Sequence, residues 1–462
     1  MEYVDCTLTI GDPGREYYAA YKVEFGSLIE GQLSVDPLRR LTVERLNYWV
    51  DNYESYCNRE VLVLLGLHLY HILFDDKKLE DAFHTTLRDF GLKSRPEKGR
   101  PKSRGLRLRL KLIFTKDASK WLAGLPWEFT FVPFPDLEQG FFLTGEREDF
   151  VLTRFVPEVG VKANPDLRRP PLRILIVFSQ PKGFVELEER EVRSVLDGLK
   201  ELETKGGVRV RELTNPTYAA LRNAIEDERE GLPHILHFIG HGEAGQLMLI
   251  KDKDDQDYDS AKGERQPYRT SSKELQALFA NHKPRLIFLS ACKGAASTEG
   301  RSISLESFMN TARDFVYAQV PAVVAMQYNI ANIDAQTFAQ KFYEEIGQGK
   351  GIDEAVKIGR MALGFRPPAW AHRRFGTPVV YLQSDEAIVF PDPMDARQEP
   401  GSTPITEQVE CQNCKQKNSK TSKFCGACGN SLAQPSISPR QAAQDLWQDK
   451  AAGDSTRQTW KA

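Results

Sequence analysis

Between positions 171 and 390 short apolar runs alternate with stretches of helical period, and that alternation predicts strands and helices taken in turn. The apolar runs are RILIVFSQP, VRVRELTNP, HILHFIGHG, PRLIFLSAC, AVVAMQY and PVVYLQ. Helices are expected over 185–202, 218–230, SSKELQALFANH, 305–316 and two stretches ending at Met361. Strands separated by helices pair in parallel, so the fold class is α/β, a mostly parallel six-stranded sheet flanked by helices. An acidic excursion, KDKDDQDYDS, interrupts the pattern after the third strand.

The pattern differs on either side of this region. Residues 1–104 form a module of unclear fold, in which VLVLLGLHLYHILF is apolar nearly throughout and fits a buried helix or a buried strand equally. A basic, Pro- and Gly-rich loop over 94–105 leads into LRLRLKLIF, whose alternation predicts a strand with one wet face. With GLPWEFTFVP and FVLTRFVP it makes a β-rich part, 105–162, closed by the connector ANPDLRRPP. After 390 a polar, Pro-containing linker (391–408) leads to a small Cys-rich module (409–432) and a Ser/Gln/Ala-rich tail (433–462), expected to be disordered.

Composition narrows the classes. The chain has 462 residues and 41% hydrophobic content, enough for two or three domains. Lys and Arg number 62 against 64 Asp and Glu, so no global field selects nucleic acid or membrane. No apolar run approaches 18 residues, and the start, MEYVDCTLTIGD, has neither a basic head nor an apolar core. Seven cysteines, four of them within 18 residues, do not make a disulfide framework for so long a chain. A cytoplasmic protein without a membrane partner is expected.

Two runs end in reactive residues. HFIGHG carries His241 and Gly242, and IFLSAC ends in Cys292 about 50 residues later. The carboxyl ends of parallel strands open into a solvent-reachable crevice, where a thiol and an imidazole can exchange a proton. A thiolate is the usable nucleophile, and an imidazole can both generate it and protonate a leaving amine. Each residue alone reads as core, since buried Cys and His are common. His234 and His237 are expected as hydrogen-bonded core residues, and Ser290 as structural.

Taken together, LHFIGHG, LSAC, VPAVVAMQYNIANIDAQTFAQKFYEEI and the upstream LPWEF resemble the CHAT family, caspase-like peptidases of the caspase and separase clan, over roughly 106–390. The resemblance implies a caspase-like sheet, Cys292 as nucleophile, His241 as general acid/base, and the amides of Gly242 and Cys292 as oxyanion hole. A glycine there lets a carbonyl approach the backbone closely. Asp334 resembles an acidic position of the family that holds a basic substrate side chain, and Glu243 is a second candidate. Asp334 could equally cap the helix it precedes. Where some relatives have Asp two residues before the nucleophile, this chain has Ser290. The function implied is a regulated cysteine endopeptidase acting on a protein substrate in a bacterial stress, defence or signalling pathway, with no cofactor for catalysis. Its upstream module or a partner is expected to hold it inactive. The alternative is a non-catalytic signalling scaffold of the same fold.

Two further patterns fail on spacing. In DKDDQDYD the turn glycine and bidentate Glu of an EF-hand are replaced by Ser260 and Gln266, and GQGKG lacks the Ser or Thr of a phosphate loop. The strongest remaining signal is Cys411, Cys414, Cys425 and Cys428, two C-x2-C knuckles that can enclose a structural zinc with every coordination position filled. The module resembles a zinc ribbon, and two disulfides are the alternative. Lys415, Lys417, Lys420 and Lys423 surround it without an acid, a patch for a protein or nucleic-acid partner or simply for solubility.

Overall fold

The computed structural model describes residues 3–12, 15–24, 26–52, 57–91, 105–112, 117–134, 140–156, 171–184, 189–243, 246–292, 315, 320–328, 330–367, 372–383, 408–410 and 417–419. The expected helix over 305–316, the basic loop before residue 105 and the connector 163–171 fall wholly or almost wholly outside them. Two compact units emerge, Met1–Ala396 and Arg397–Ala462.

The first unit opens with a meander of β1 (Tyr3–Asp12), β2 (Arg15–Val23) and β3 (Ile29–Gln32). Helices α1 (Pro37–Asn52), α2 (Arg59–Phe74) and α3 (Lys77–Thr86) follow. The ambiguous apolar run 61–74 is α2. Its burial recurs at Leu62, Leu65, Gly66, Leu69, Ile72 and Leu73, one wide helical face, and Asn58 caps it by accepting from the Val61 N–H at 3.0 Å. Gly66 is required there, because a Cβ would stand 2.3 Å from the Phe129 carbonyl oxygen. Next come β4 (Gly105–Leu112), α4 (Asp117–Gly124), the short pair β5 (Phe131–Val132) and β6 (Phe141–Phe142), and β7 (Phe150–Phe155).

Each apolar run expected between 171 and 390 forms a strand. The order is β8 (Leu172–Phe178), α5 (Glu189–Thr204), β9 (Val208–Thr214), α6 (Tyr218–Glu226), β10 (Ile235–Glu243), β11 (Gln246–Ile250), β12 (Pro267–Arg269), α7 (Ser272–Leu278), β13 (Leu286–Cys292), β14 (Ala322–Met326), α8 (Asn332–Gly347), α9 (Ile352–Gly364) and β15 (Pro378–Leu382). Strands β9, β8, β10, β13 and β14 pair in parallel in that spatial order, and β15 closes on β14 antiparallel. The hairpin strands β11 and β12, which pattern reading did not separate from the acidic excursion, extend β10 on its carboxyl side.

The sheet does not stop at β15. That strand pairs in parallel with β7, β7 with β4, β4 with β1, and the meander completes a sheet of thirteen strands. Residues 3–156 are therefore built into the same sheet as the 171–390 region rather than set beside it. Two apolar layers clothe its 171–390 part. Ile174, Ile176, Ile235, Phe288 and Val324 face α5, α8 and α9, while Leu175, Val177, Leu236, Leu289 and Val323 face α6 and α7.

In the second unit the described residues are β16 (Gln408–Glu410) and β17 (Lys417–Ser419), an antiparallel hairpin.

Candidate active site

Strand β10 runs beside β8 on one side and β13 on the other, while β9 lies beyond β8. The chain thus winds outward in opposite directions from the boundary between β8 and β10, and such a switch point leaves a crevice at the strands' carboxyl ends. The parallel register of β10 and β13 runs from Ile235 opposite Leu286 to His241 opposite Cys292. Directly paired positions share a face of a sheet, so positions 241 and 292 stand side by side along the backbone at the rim of the face that carries α5, α8 and α9.

The His241 ring is buried and held from the β8 side. Its Nε2 lies 3.3 Å from Oε1 of Gln180, and the Phe184 ring stacks on it at 5.1 Å between centroids and 27° between planes. Both residues belong to the turn that leaves β8. The Ser179 N–H donates to the Ile239 carbonyl at 2.9 Å, its hydroxyl donates to the Met248 carbonyl at 2.7 Å, and the Gln180 N–H donates to Asn215 Oδ1 at 2.8 Å. Asn215 adopts φ +47°, a conformation its short polar side chain tolerates. Gly240 keeps the path open: a Cβ there would meet the Phe238 ring at 2.7 Å and the Ser179 carbonyl at 3.0 Å.

Gly242, the other residue of the expected oxyanion hole, stands opposite Leu247 in the β10–β11 hairpin. The Leu247 N–H donates to Thr270 Oγ1 at 2.8 Å and its carbonyl accepts from the Thr270 N–H at 3.1 Å, so neither engages Gly242. The pair is the open kind in an antiparallel ladder, and the hairpin leaves the Gly242 N–H unclaimed by β11. Glu243 ends β10 opposite Gln246.

One layer deeper, His237 is fully buried between Ser290 Oγ, 3.2 Å from Nε2, and the Tyr343 hydroxyl, 3.1 Å from Nδ1. With both nitrogens satisfied, the neutral ring donates at one and accepts at the other. His234, just before β10, accepts at Nδ1 from the Arg173 N–H at 3.1 Å. Burial, joined at His234 by the Arg173 charge, pushes the pKa of each histidine down to about 3. In the unfolded chain they take up protons near pH 6.5, so their contribution to stability is complete above that pH and is lost as pH falls toward 3. His237→Gln should therefore lose about 2 kcal/mol less stability than wild type between pH 7 and pH 5, measured from urea midpoints.

Asp334 lies inside the first turn of α8, not ahead of it, and the N-cap position is Ala331, which makes no side-chain cap. The buried carboxylate has two arginine partners: Oδ1 pairs with Arg366, and Oδ2 is 3.4 Å from Arg374 Nε. A basic substrate side chain would have to displace them. Nothing in the local pattern announced this pair or the Gln180–Phe184 wall; Gln180 follows an obvious strand, but its partner is 61 residues away.

Cys411, Cys414, Cys425 and Cys428 lie outside the described residues. The β16–β17 hairpin brackets 411–416, the segment that carries the first knuckle. Among the described residues no group of three or more His, Cys, Asp or Glu is arranged to hold a metal, and no helix is long and apolar enough to cross a membrane.

A large, mostly parallel sheet with a histidine and a cysteine at directly paired positions of β10 and β13, beside its switch point, defines an α/β protein of Cys/His type. The chain belongs to the CHAT domain family, whose model matches residues 67–370, from within α2 onward. Searched against curated proteins, the sequence finds no significant match. Among solved structures it is similar to the Saccharomyces cerevisiae separase–securin complex, with 16% identity, TM-score 0.35 and 76% of this chain covered. It spans 22% of that chain, under a quarter of its length. It is also similar to the Arg-specific cysteine proteinase gingipain R, with 10% identity, TM-score 0.34 and 68% of each chain covered. For caspase-1 from Spodoptera frugiperda the identity is 11% and the TM-score 0.30, over 51% of this chain and 98% of that one.

Proposed function

We propose that this CHAT protein is a cysteine endopeptidase of caspase-like fold. The observation that carries the reading is the β10–β13 register, which sets His241 opposite Cys292 at the carboxyl ends of adjacent parallel strands. In the reaction the Cys292 thiolate attacks the scissile carbonyl of a protein substrate, while the amides of Gly242 and Cys292 receive the developing oxyanion. His241 protonates the leaving amine and then activates the water that hydrolyses the thioester. No cofactor enters these steps. Selection of a basic substrate side chain by Asp334 requires its two arginines to swing away, and Glu243, next in sequence to the oxyanion glycine, would be the second acidic contributor. The test is hydrolysis of a diverse peptide library by the wild type and by Cys292→Ala, with the cleaved bond identified by mass spectrometry. Absence of Cys292-dependent cleavage, with Cys292 no faster to alkylate than Cys57, would support a signalling scaffold instead.

The protein acts in the cytoplasm on this reading, where thiols stay reduced and a zinc site is the natural use of the C-terminal cysteines. Cys411, Cys414, Cys425 and Cys428 would hold the ion tetrahedrally, and a hairpin around the first knuckle suits that role. All positions filled by sulfur make the site structural. The Lys-rich surface of the ribbon would then meet an acidic protein surface or nucleic acid. The full chain should retain about one equivalent of zinc through gel filtration, and Cys425→Ser should lose it while keeping peptide cleavage. Zinc retained by that variant at the wild-type level would remove the ribbon.

A further inference from the structure

We propose that Gln180 is the positioning residue of the dyad, fixing the His241 imidazole with its proton on Nε2 and its lone pair on Nδ1. The inference rests on the peptidase reading and adds a third residue to it. A carboxamide oxygen can only accept, so the 3.3 Å approach of His241 Nε2 to Gln180 Oε1 places a hydrogen on Nε2. In a neutral ring the other nitrogen is then the base. Nδ1 is thus the atom that takes the Cys292 proton, passes it to the leaving amine as the C–N bond breaks, and takes one from the water that cleaves the thioester; Nε2 keeps its hydrogen throughout.

Gln180 is suited to this because it is fixed before any substrate arrives. Asn215 accepts from its backbone N–H, and the neighbouring Ser179 is tied to both Ile239 and Met248. Gln180 is itself almost wholly buried, so water does not compete freely for the imidazole N–H. Phe184, four residues on, covers the face of the ring and restrains its rotation. The contact crosses the β8–β10 boundary where the crevice opens, so one turn positions the base from the side opposite Cys292.

The experiment uses the full chain and needs no substrate. Alkylation of Cys292 by iodoacetamide is followed by peptide mapping in wild type, His241→Ala, Gln180→Met and Gln180→Glu. The titration of His241 is read from the 13Cε1 resonance that disappears in His241→Ala. Gln180→Met removes the acceptor at similar volume and should slow alkylation at pH 7 about tenfold. Gln180→Glu keeps an acceptor oxygen, should hold the rate, and should raise the His241 midpoint by about one pH unit, because a carboxylate favours the imidazolium. Equal alkylation in wild type and His241→Ala would sink the dyad itself, whatever Gln180 does. A His241-dependent wild type with Gln180→Met unchanged in rate and midpoint would overturn the role of Gln180 alone. So would equal loss in the Met and Glu variants with lowered thermal midpoints, the mark of a residue needed only for folding.

Discussion

Cys292→Ala should abolish peptide hydrolysis while the chain still folds, and His241→Ala should lower the rate by about 10²–10⁴-fold. The two effects differ because the roles differ. An ordinary thiol, with a pKa near 8.5, is only a few per cent thiolate at neutral pH, yet that fraction is intrinsically nucleophilic. Loss of the imidazole therefore leaves a slow enzyme, whereas loss of sulfur leaves no atom to form the thioester. Folding should survive either change, since both positions sit at strand ends rather than in the apolar layers between sheet and helices. Urea midpoints should place both variants within about 1.5 kcal/mol of wild type. The protein supplies its own reference thiols: Cys6 and Cys57 are buried, and burial pushes the Cys6 thiol up to about 12. At pH 7 alkylation should map to Cys292 ahead of both. Hydrolysis that persists in purified Cys292→Ala would assign the chemistry to another residue.

How far the pattern along the chain reaches depends on the range of the interaction. Strands β8, β9, β10, β13, β14 and β15 were legible because each is a short apolar run between turn signals, and those runs alone carry His241 and Cys292 to the same edge. Three features lay beyond such reading. The run 61–74 could not be assigned until its partner was known, because a helix buried on a wide face and a buried strand share the same composition; Gly66 against the Phe129 carbonyl shows what fixes it. The pairing of β15 with β7 joins Leu382 to Phe155, and no local signal specifies a partner so distant. Asp334 was legible as an acid near the site, but its meaning changes once Arg366 and Arg374 hold its two oxygens. The β8 turn is the same case, since Gln180 acquires a role only through His241.

The sheet extension also bears on how the upstream residues could control activity. Residues 3–156 supply β1 to β4 and β7 to the common sheet, and their apolar cluster takes in Tyr328 and Phe375 from beyond residue 320. Lifting them off as a detachable cap would expose the edge of β15 and part of the core. Removal of 1–104 alone would strip β1 from β4 and open the same apolar cluster, and should yield an aggregating chain rather than an unleashed peptidase.

Where those parts join, Glu128→Gln should destabilise the protein by about 3–5 kcal/mol, although it alters one buried side-chain atom. Glu128 belongs to the LPWEF segment, and its carboxylate sits between two buried guanidinium groups. Arg154 of β7 forms the fork, with Nε 3.0 Å from Oε1 and an Nη 2.5 Å from Oε2, and Arg360 of α9 lies 3.6 Å from Oε1. Burial opposes the charge of Arg154, but Glu128 more than offsets it and holds the group above its ordinary range. Arg360 is less well compensated, and burial pulls it down to about 10 despite Glu128. Backbone carbonyls complete the shell: Ala123 and Leu125 accept from Arg154, and Leu152 and Pro378 from Arg360. Gln327, just past β14, donates to Glu128 at 3.1 Å. The cluster therefore ties α4, β7, β14, α9 and the start of β15 through one carboxylate. An amide in its place leaves two guanidinium groups in a dry interior with no counter-charge, which is costlier than the loss of the same pair at the surface. The comparison is built into the molecule, because Arg209 and Glu230 pair at 2.8 Å with both side chains about half exposed. Arg209→Met should cost no more than about 1 kcal/mol. Urea midpoints for the two variants should differ accordingly, and in 1 M NaCl the small Arg209 effect should shrink while the Glu128 effect stays. A Glu128→Gln chain as stable as wild type would mean that water reaches the cluster and that the join rests on apolar packing alone.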